Sequence, residues 1–330
     1  MSSEPKLSMM LVTKDSYETS RRTIGCLLEQ TVLGDIELVI VCPSREGLDP
    51  EMDEIEQFGC YQIVETGAAY SSGQMVAAGI VAARAPGVMY LEEHNFPPPR
   101  VAEVAIRELV DNGRPAIGFP MVPANPGLVA WSHLFGQFAT AVAPVKAGPV
   151  DRIGGHHAAY RKDALAPYQN NLTHVMDNEA VMHEDFRRRG VPMYMTEDVV
   201  IPHTQVSDFR EYCRHEYLAQ RIFGAARAKV LDWSLARRLI YAAGFPLIPF
   251  VRMGRSVWHI RRTGRTRELL PQILPVMLAA NTCGAFGEAL GYIFGDTEAM
   301  NADRMELELD RYAFVREEDR RKAREAGLTT

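Results

Sequence analysis

The sequence predicts an α/β fold in which helices cover a mostly parallel sheet and a helical, partly apolar carboxyl-terminal region follows. Short apolar runs rich in branched residues, typical of buried parallel strands, occur at residues 7–13, 36–42 and 87–91. Segments with helical spacing of apolar residues alternate with these runs, at residues 16–30, 72–84 and 100–112. Beyond residue 207 the strand pattern disappears and long helical segments take its place.

This change of pattern divides the 330-residue chain into two predicted domains, residues 1–205 and 206–330. The composition, 47% hydrophobic and 24% charged, excludes disordered and collagen-like chains. Five cysteines without a C-x-x-C pair argue against a disulfide framework or a zinc knuckle and fit a reducing cytosol. The apolar run near the amino terminus is too short for a signal peptide, so we expect the first domain on the cytosolic side.

The net charge of −6 conceals an asymmetry along the chain. Residues 1–100 carry 7 basic and 15 acidic side chains, whereas residues 210–267 carry 13 basic and 3 acidic ones. The two predicted domains therefore offer surfaces of opposite charge, which suit different partners.

The main candidate for chemistry is Glu92-Glu93-His94, directly after the third predicted strand. Ligands of open α/β sheets bind beyond the carboxyl ends of the strands. Two carboxylates and an imidazole suit Mg²⁺ or Mn²⁺ held against a diphosphate. Taken alone, the competing interpretation as a solvated acidic loop is stronger.

The order of the motifs resembles the inverting family-2 glycosyltransferases of the GT-A fold over residues of about 7–225. Residues 7–41 resemble the family's nucleotide-binding β-α-β unit, with a mostly parallel, Rossmann-like sheet. The segment GQMVAAGIVAARAPGVMYLEEHNFPPP resembles the helix and strand that deliver the acidic metal motif. The segments GGHHAAYRKDAL and DNEAVMHEDFRRRG resemble the acceptor-side turn and the helix that bears the catalytic carboxylate.

The resemblance implies transfer of a sugar, with inversion, from a nucleotide-sugar donor to a hydroxyl of a lipid-linked or polysaccharide acceptor, assisted by Mg²⁺ or Mn²⁺. It also implies roles for individual residues. Glu179 is the candidate general base, with Asp177, Glu184 and Asp185 as alternatives. The remaining candidates are Thr13, Glu92, Glu93 and Arg221 for the donor, Glu92, His94 and His203 for the metal, and His156 and His157 for the acceptor.

The two histidines of the acceptor side have an equally weighted alternative, an exposed loop without function. Other positions depart from the family pattern: Cys42-Pro43 replaces an aspartate pair, Val76-Ala77 replaces Arg and Asn, and His94 replaces the last metal-binding aspartate. These departures support an alternative function, a non-catalytic GT-A-like scaffold that assembles through its apolar carboxyl-terminal helices.

The carboxyl-terminal region contains two apolar segments, residues 239–251 and 269–295, separated by a stretch with six arginines. The first is too short to span a bilayer, and the second is interrupted by proline and polar residues. One interpretation is a peripheral or monotopic contact with the anionic inner face of the membrane. The other is a buried helical hairpin or a homo-oligomer contact, while the lack of a nucleic-acid module argues against nucleic acid. We expect residues 297–330 to pack as a terminal helix.

Overall fold

The computed structural model describes residues 4–14, 16–154, 157–177 and 179–325, and it divides into two compact units. The first unit comprises residues 1–121 and 143–202, and the second comprises residues 122–142 and 203–330. The third passage of the chain between the units, after residue 202, lies close to the predicted boundary at 205. Residues 122–142 join the second unit although the sequence places them in the first domain, a difference that reflects the packing of one apolar helix described below.

The secondary structure up to residue 203 alternates strands with helices. The strands are β1 (Leu7–Val12), β2 (Ile36–Cys42), β3 (Tyr61–Glu65), β4 (Gly87–Glu92), β5 (Ala116–Gly118), β6 (Met121–Pro123), β7 (Gly148–Val150), β8 (Ala158–Arg161), β9 (Met193–Met195) and β10 (Ile201–His203). The helices are α1 (Tyr17–Leu28), α2 (Arg45–Leu48), α3 (Met52–Ile55), α4 (Ser72–Ala82), α5 (Val101–Ile106), α6 (Leu128–Phe138), α7 (Lys162–Leu165), α8 (Leu172–Met176) and α9 (Glu179–Arg188).

An eight-stranded sheet with the order β3-β2-β1-β4-β8-β5-β9-β7 forms the centre of the first unit. Strands β2, β1 and β4 are parallel, as predicted, the unpredicted strand β3 is parallel to β2, and β5 is parallel to β9. The short strand β8 lies between β4 and β5 and is antiparallel to both. Sequence analysis missed β8 because three buried residues are too few to show a strand period.

The strands β1, β2 and β4 are buried along their whole length, which explains their nearly continuous apolar sequences. Helices α1 and α5 contribute Ile24, Leu27 and Val101 to the core of the same unit. In the parallel register Val12 pairs with both Val41 and Glu92. The carboxyl ends of these three strands therefore meet at one edge of the sheet.

The second unit is helical, as predicted for the carboxyl-terminal region. Together with α6 it contains α10 (Phe209–Val230), α11 (Leu235–Ala243), α12 (Ile248–Arg262), α13 (Thr266–Leu269), α14 (Ile273–Phe294), α15 (Glu298–Leu309) and α16 (Glu317–Glu325). Helix α6 packs on α10, α12 and α14. Its apolar residues are covered by these helices, which explains why residues 122–142 belong to this unit.

Helices α10 and α14 form the principal contact of the second unit, and glycines permit their close approach. A β-carbon at Gly287 would lie 2.2 Å from the Tyr217 carbonyl oxygen, and one at Gly291 would lie 2.2 Å from that of Arg221. Helix α14 has the length and apolar composition needed to cross a membrane, yet half of its most apolar window is buried inside the unit. The segment 269–295 thus contributes a core helix.

We expect Gly291→Ala to lower the free energy of unfolding of the second unit by about 1–3 kcal/mol, because the added methyl group meets a backbone carbonyl. Urea denaturation followed by tryptophan fluorescence measures this unit alone, since Trp131, Trp233 and Trp258 all lie in it. The matched control is Gly254→Ala in α12, where a β-carbon meets nothing within 4 Å. That substitution should stabilise the helix by about 0.5–1 kcal/mol, and equal effects at both positions would contradict the assignment.

Candidate functional site

The predicted acidic motif lies where β4 ends, and the side chains of Glu92, Glu93, His94 and Asn95 are all fully buried. The interpretation of this segment as a solvated loop is therefore wrong. Carboxylates are rarely buried without a partner, because removing a charge from water costs several kcal/mol. A site that carries this cost is a strong candidate for function.

The imidazole of His94 lies between the two carboxylates. Its Nε2 is 3.1 Å from Glu92 Oε2, and its Nδ1 is 3.5 Å from Glu93 Oε1. The hydroxyl of Tyr90 donates a hydrogen bond of 3.0 Å to Glu92 Oε1. Three side chains that commonly bind metals thus converge within a few ångströms.

The electrostatics of this cluster favour retention of protons. Burial raises the pKa of Glu93 to about 7, although His94 acts in the opposite direction. Burial alone would lower the pKa of His94, but the carboxylates of Glu92 and Glu93 outweigh it and raise that pKa above its ordinary value. At neutral pH the cluster holds protons that a bound cation would displace.

Helix α1 fixes the loop that follows the cluster. The hydroxyl of Thr23 contacts the carbonyl oxygens of Glu93 at 2.6 Å and of Asn95 at 2.9 Å. The side-chain amide of Gln30 donates to the Pro98 carbonyl at 2.9 Å and accepts from the backbone N–H of Ala102 at 2.9 Å. Side chains about 70 residues earlier in the sequence, those of Thr23 and Gln30, therefore hold the loop in place.

Thr23 lies within the predicted helical segment 16–30, and no functional role was predicted for it. The available signal was its polarity, because a hydroxyl on a core-facing position needs a partner. The partner itself lies 70 residues further along the chain and is visible only in the folded protein.

The side chain of Asn95 gives an independent indication of a ligand. It is fully buried, and within the described residues neither its oxygen nor its nitrogen makes a hydrogen bond. An unsatisfied buried amide beside two carboxylates suits a site that a polar group or an ion completes. The donor set of carboxylate oxygens and an imidazole fits Mn²⁺ or Mg²⁺.

His203 is buried and is the first residue of the second unit after the chain leaves the first. The residue before it, Pro202, accepts a hydrogen bond of 3.0 Å from the backbone N–H of Phe96. The backbone just before His203 is therefore hydrogen-bonded to Phe96, which is two residues after His94 in the sequence. The ring of His203 lies 6.1 Å from that of Phe138.

The candidate base, Glu179, is the first residue of α9 and is buried. Burial, together with the negative charge of Glu179, raises the pKa of Tyr160 well above its ordinary value, which places the carboxylate near that phenol. The Tyr160 oxygen lies 2.8 Å from His183 Nε2, and burial lowers the pKa of His183 to about 3. Tyr160 and His183 thus form a neutral hydrogen-bonded pair, and the charge of Glu179 acts on the phenol of that pair.

The three alternative carboxylates have structural partners. Asp177 accepts from the backbone N–H of Gly73 at 2.9 Å and thereby caps helix α4. Glu184 pairs with Arg188 at 2.8 Å, and Asp185 accepts from the hydroxyl of Tyr168. Among the four candidate carboxylates of this region, Glu179 is the buried one.

The other predicted positions lie in different parts of the molecule. Thr13 is buried immediately after β1, and its backbone N–H donates to the Val41 carbonyl at 3.0 Å, so it lies at the same sheet edge as Glu92. His157 is fully buried, so the interpretation as an exposed histidine is wrong for it. His156 lies outside the described residues.

Arg221, which was predicted to contact the donor, lies in the second unit. Its Nε donates to the Gly295 carbonyl at 3.1 Å, and its NH1 group donates to the Tyr217 hydroxyl at 3.0 Å. These bonds connect α10 with the end of α14. A role of Arg221 toward a donor stays a prediction.

A second group of buried polar side chains lies in the second unit. Nε2 of His133 is 3.3 Å from Nδ1 of His215, and Glu216 accepts from the Gln137 amide at 2.6 Å. Burial lowers the pKa of His133 well below its ordinary range and that of His215 to about 4, so both rings are neutral at pH 7. We interpret this group as a hydrogen-bonded polar core between α6 and α10.

No protein-family model matches the chain, and no curated protein matches it in sequence. Among solved structures, it is similar to the mannosyltransferase PcManGT from Pyrobaculum calidifontis in complex with GDP-Man and Mn²⁺, with 13% identity, coverage of 86% of this chain and 87% of that chain, and a TM-score of 0.51. S. aureus TarS 1-349 matches with 12% identity, coverage of 88% and 92%, and a TM-score of 0.48. GalNAc-T7 with UDP, GalNAc and Mn²⁺ matches with 12% identity, coverage of 61% and 44%, and a TM-score of 0.48.

At these identities the likeness to the mannosyltransferase concerns the fold alone. It agrees with the parallel β-α-β order of the first unit. The predicted fold class is therefore confirmed: the chain has the GT-A fold of glycosyltransferases, followed by a helical carboxyl-terminal region.

Proposed function

We propose that this protein is a glycosyltransferase that moves a sugar from a nucleotide-sugar donor to a hydroxyl of a lipid-linked or polysaccharide acceptor. The observation that carries the proposal is the buried cluster of Glu92, Glu93 and His94 at the carboxyl end of β4. In this fold that edge of the sheet is where a ligand binds. The similarity of the fold to a mannosyltransferase that binds GDP-Man and Mn²⁺ supports the same class of donor here.

The residues that would hold a divalent cation, Mg²⁺ or Mn²⁺, are Glu92, His94 and His203, with Glu93 as a further carboxylate toward the donor or the cation. When bound, the cation would neutralise negative charge on the diphosphate of the donor. The unsatisfied amide of Asn95 would hydrogen-bond to the same ligand.

Glu179 would act as the general base. Its carboxylate would take the proton of the acceptor hydroxyl while the hydroxyl oxygen forms a bond to the anomeric carbon of the sugar. The bond between that carbon and the diphosphate oxygen would break, and the nucleoside diphosphate would leave. Attack from the face opposite the leaving group gives inversion. The burial of Glu179 supports this role, because a carboxylate removed from bulk water can meet the acceptor hydroxyl without competing solvent.

The remaining predicted contacts belong to the same proposal. Thr13 and Glu92 share one edge of the sheet, which supports donor binding there. Arg221 would contact the donor, and His156 and His157 would lie on the acceptor side. The alternative of a non-catalytic scaffold is not favoured. A buried acidic cluster lowers the stability of the fold, and a scaffold role gives no reason for keeping such a cluster.

We expect Glu179→Gln to reduce sugar transfer by about 10²–10⁴-fold, because the amide cannot accept the acceptor proton. Release of nucleoside diphosphate measures transfer, and calorimetry with the same nucleotide sugar should show unchanged donor binding. The matched control is Glu184→Gln, which loses only a pairing with Arg188 and should keep full activity. An unaltered rate for Glu179→Gln would remove it from the role, and the anomeric configuration of the product tests inversion.

The affinity for Mn²⁺ should rise with pH through about 7, because Glu93 with its pKa of about 7 and His94 with its raised pKa must lose protons to bind. The increase should approach tenfold per pH unit for each proton released. Calorimetry at several pH values, in buffers of different ionisation enthalpy, measures both the affinity and the protons. His94→Gln should weaken binding and reduce the proton release, whereas a pH-independent affinity would contradict the ligand assignment.

Thr23→Val should destabilise the first unit by about 1–3 kcal/mol, because two buried carbonyl oxygens lose their partner. It should also weaken Mn²⁺ binding, since the loop that carries His94 and Asn95 loses its anchor. Thr23→Ser keeps the hydroxyl and should recover the metal affinity. Equal affinities for the Val and Ser variants would show that Thr23 does not position the loop.

A further inference from the structure

An exposed apolar surface lies on helices α11 and α12 of the second unit. We call it the apolar ridge and define it by Leu239, Ile240, Leu247, Phe250, Val251 and Trp258. Each of these side chains is between 47% and 71% exposed. Single exposed apolar residues are ordinary, but six within 20 consecutive residues form a patch of the kind that marks an interaction site.

The spacing of the ridge follows the helix period on α12. Leu247, Phe250, Val251 and Trp258 lie on one stripe, and the exposed Arg255 and Arg261 continue it. Helix α11 has 9 residues and α12 has 15, whereas a membrane-spanning helix needs about 20. The ridge therefore has the dimensions of an element that lies on a surface and does not cross it.

The charge around the ridge is of one sign. Residues 233–267 contain eight arginines and neither aspartate nor glutamate. Some of these arginines are used inside the unit, such as Arg252, which pairs with Glu288 at 2.6 Å. Arg255, Arg261 and Arg267 are exposed, and no ion pair or hydrogen bond joins their side chains to any other residue that the structure describes.

The structure also separates the two apolar segments of this region. Helix α14 is a core helix, since its glycines contact the carbonyl oxygens of α10 and half of its apolar window is buried. The exposed large apolar side chains are therefore concentrated on α11, α12 and the turn between them, whereas α14 carries two, Phe286 and Phe294. The ridge and the arginines occupy the same short stretch of chain.

We propose that the apolar ridge docks on an anionic lipid bilayer, with its arginines at the headgroups and Trp258 at the boundary, as a peripheral contact with the inner face of the cytoplasmic membrane. Apolar side chains enter the acyl boundary, while each arginine near an anionic surface strengthens binding about fivefold. A second copy of the chain is a poorer occupant, because it would bring two sets of eight arginines together without an acidic residue in either stretch. This proposal does not depend on the enzymatic one.

The test is flotation of the full chain with vesicles of phosphatidylcholine alone and with 30 mol% phosphatidylglycerol, an anionic fraction on the order of that in charged membranes. We expect binding to the anionic vesicles and its loss at high salt. The double variant Leu247→Ser, Phe250→Ser should weaken partitioning about tenfold or more, and Arg255→Glu with Arg261→Glu should weaken it to a similar degree. The matched control is Val81→Ser, which alters a 74% exposed apolar residue of the first unit and should leave flotation unchanged.

Circular dichroism and size exclusion check that each variant is folded, which the exposure of the altered side chains favours. Several results would overturn the proposal: no flotation with anionic vesicles, equal flotation of the ridge variants and the original chain, or binding that ignores lipid charge. Analytical ultracentrifugation measures whether the chain forms a dimer through the ridge. A dimer that Leu247→Ser, Phe250→Ser dissociates would show that the ridge is an interface between copies and would also overturn the lipid assignment.

Discussion

The parallel register of β1 with β2 and β4 is the constraint on which the candidate site depends. It pairs Val12 with both Val41 and Glu92 and brings three strand ends to one edge of the sheet. All residues of these strands are buried, and a shift by one residue would exchange the side chains that pack on the two faces, so the packing on both faces holds this register. The same burial carries Glu92, Glu93 and His94 out of water. Packing thus creates the low-dielectric environment that makes the cluster chemically unusual.

The acidic cluster and its loop form a unit held by polar contacts. His94 lies between two carboxylates, and Thr23 on α1 binds the carbonyl oxygens on either side of it. The contacts keep buried charges and buried carbonyls partnered, which limits the free-energy cost of placing them inside the protein. A site held in this way changes little when a ligand arrives, and the binding energy of the ligand is not used to order the loop.

The second unit is built by helix packing: one apolar helix lies inside, and two shorter helices lie on the surface. The apolar helix α14 packs closely on α10 at Gly287 and Gly291 and forms part of the core of this unit. Helices α11 and α12 remain on the outside with large apolar side chains and arginines. The acidic first hundred residues and the basic stretch from 210 to 267 belong to structurally separate units, so the small net charge conceals two different surfaces.

The sequence by itself determined strands β1, β2 and β4 and helices α1, α4 and α5 of the first unit, the helical carboxyl-terminal region and the location of the acidic motif after β4, because hydrophobic period and strand length are local properties. It left undecided whether Glu92 and Glu93 face water, which carboxylates near Glu179 serve in a helix cap or a surface pair, and whether residues 269–295 form a helix that packs on other helices. Those answers depended on contacts between distant residues, such as Thr23 with Glu93, Asp177 with Gly73 and α10 with α14. Only the tertiary structure decides them, because burial and pairing are set by which elements pack together and not by the pattern within one of them.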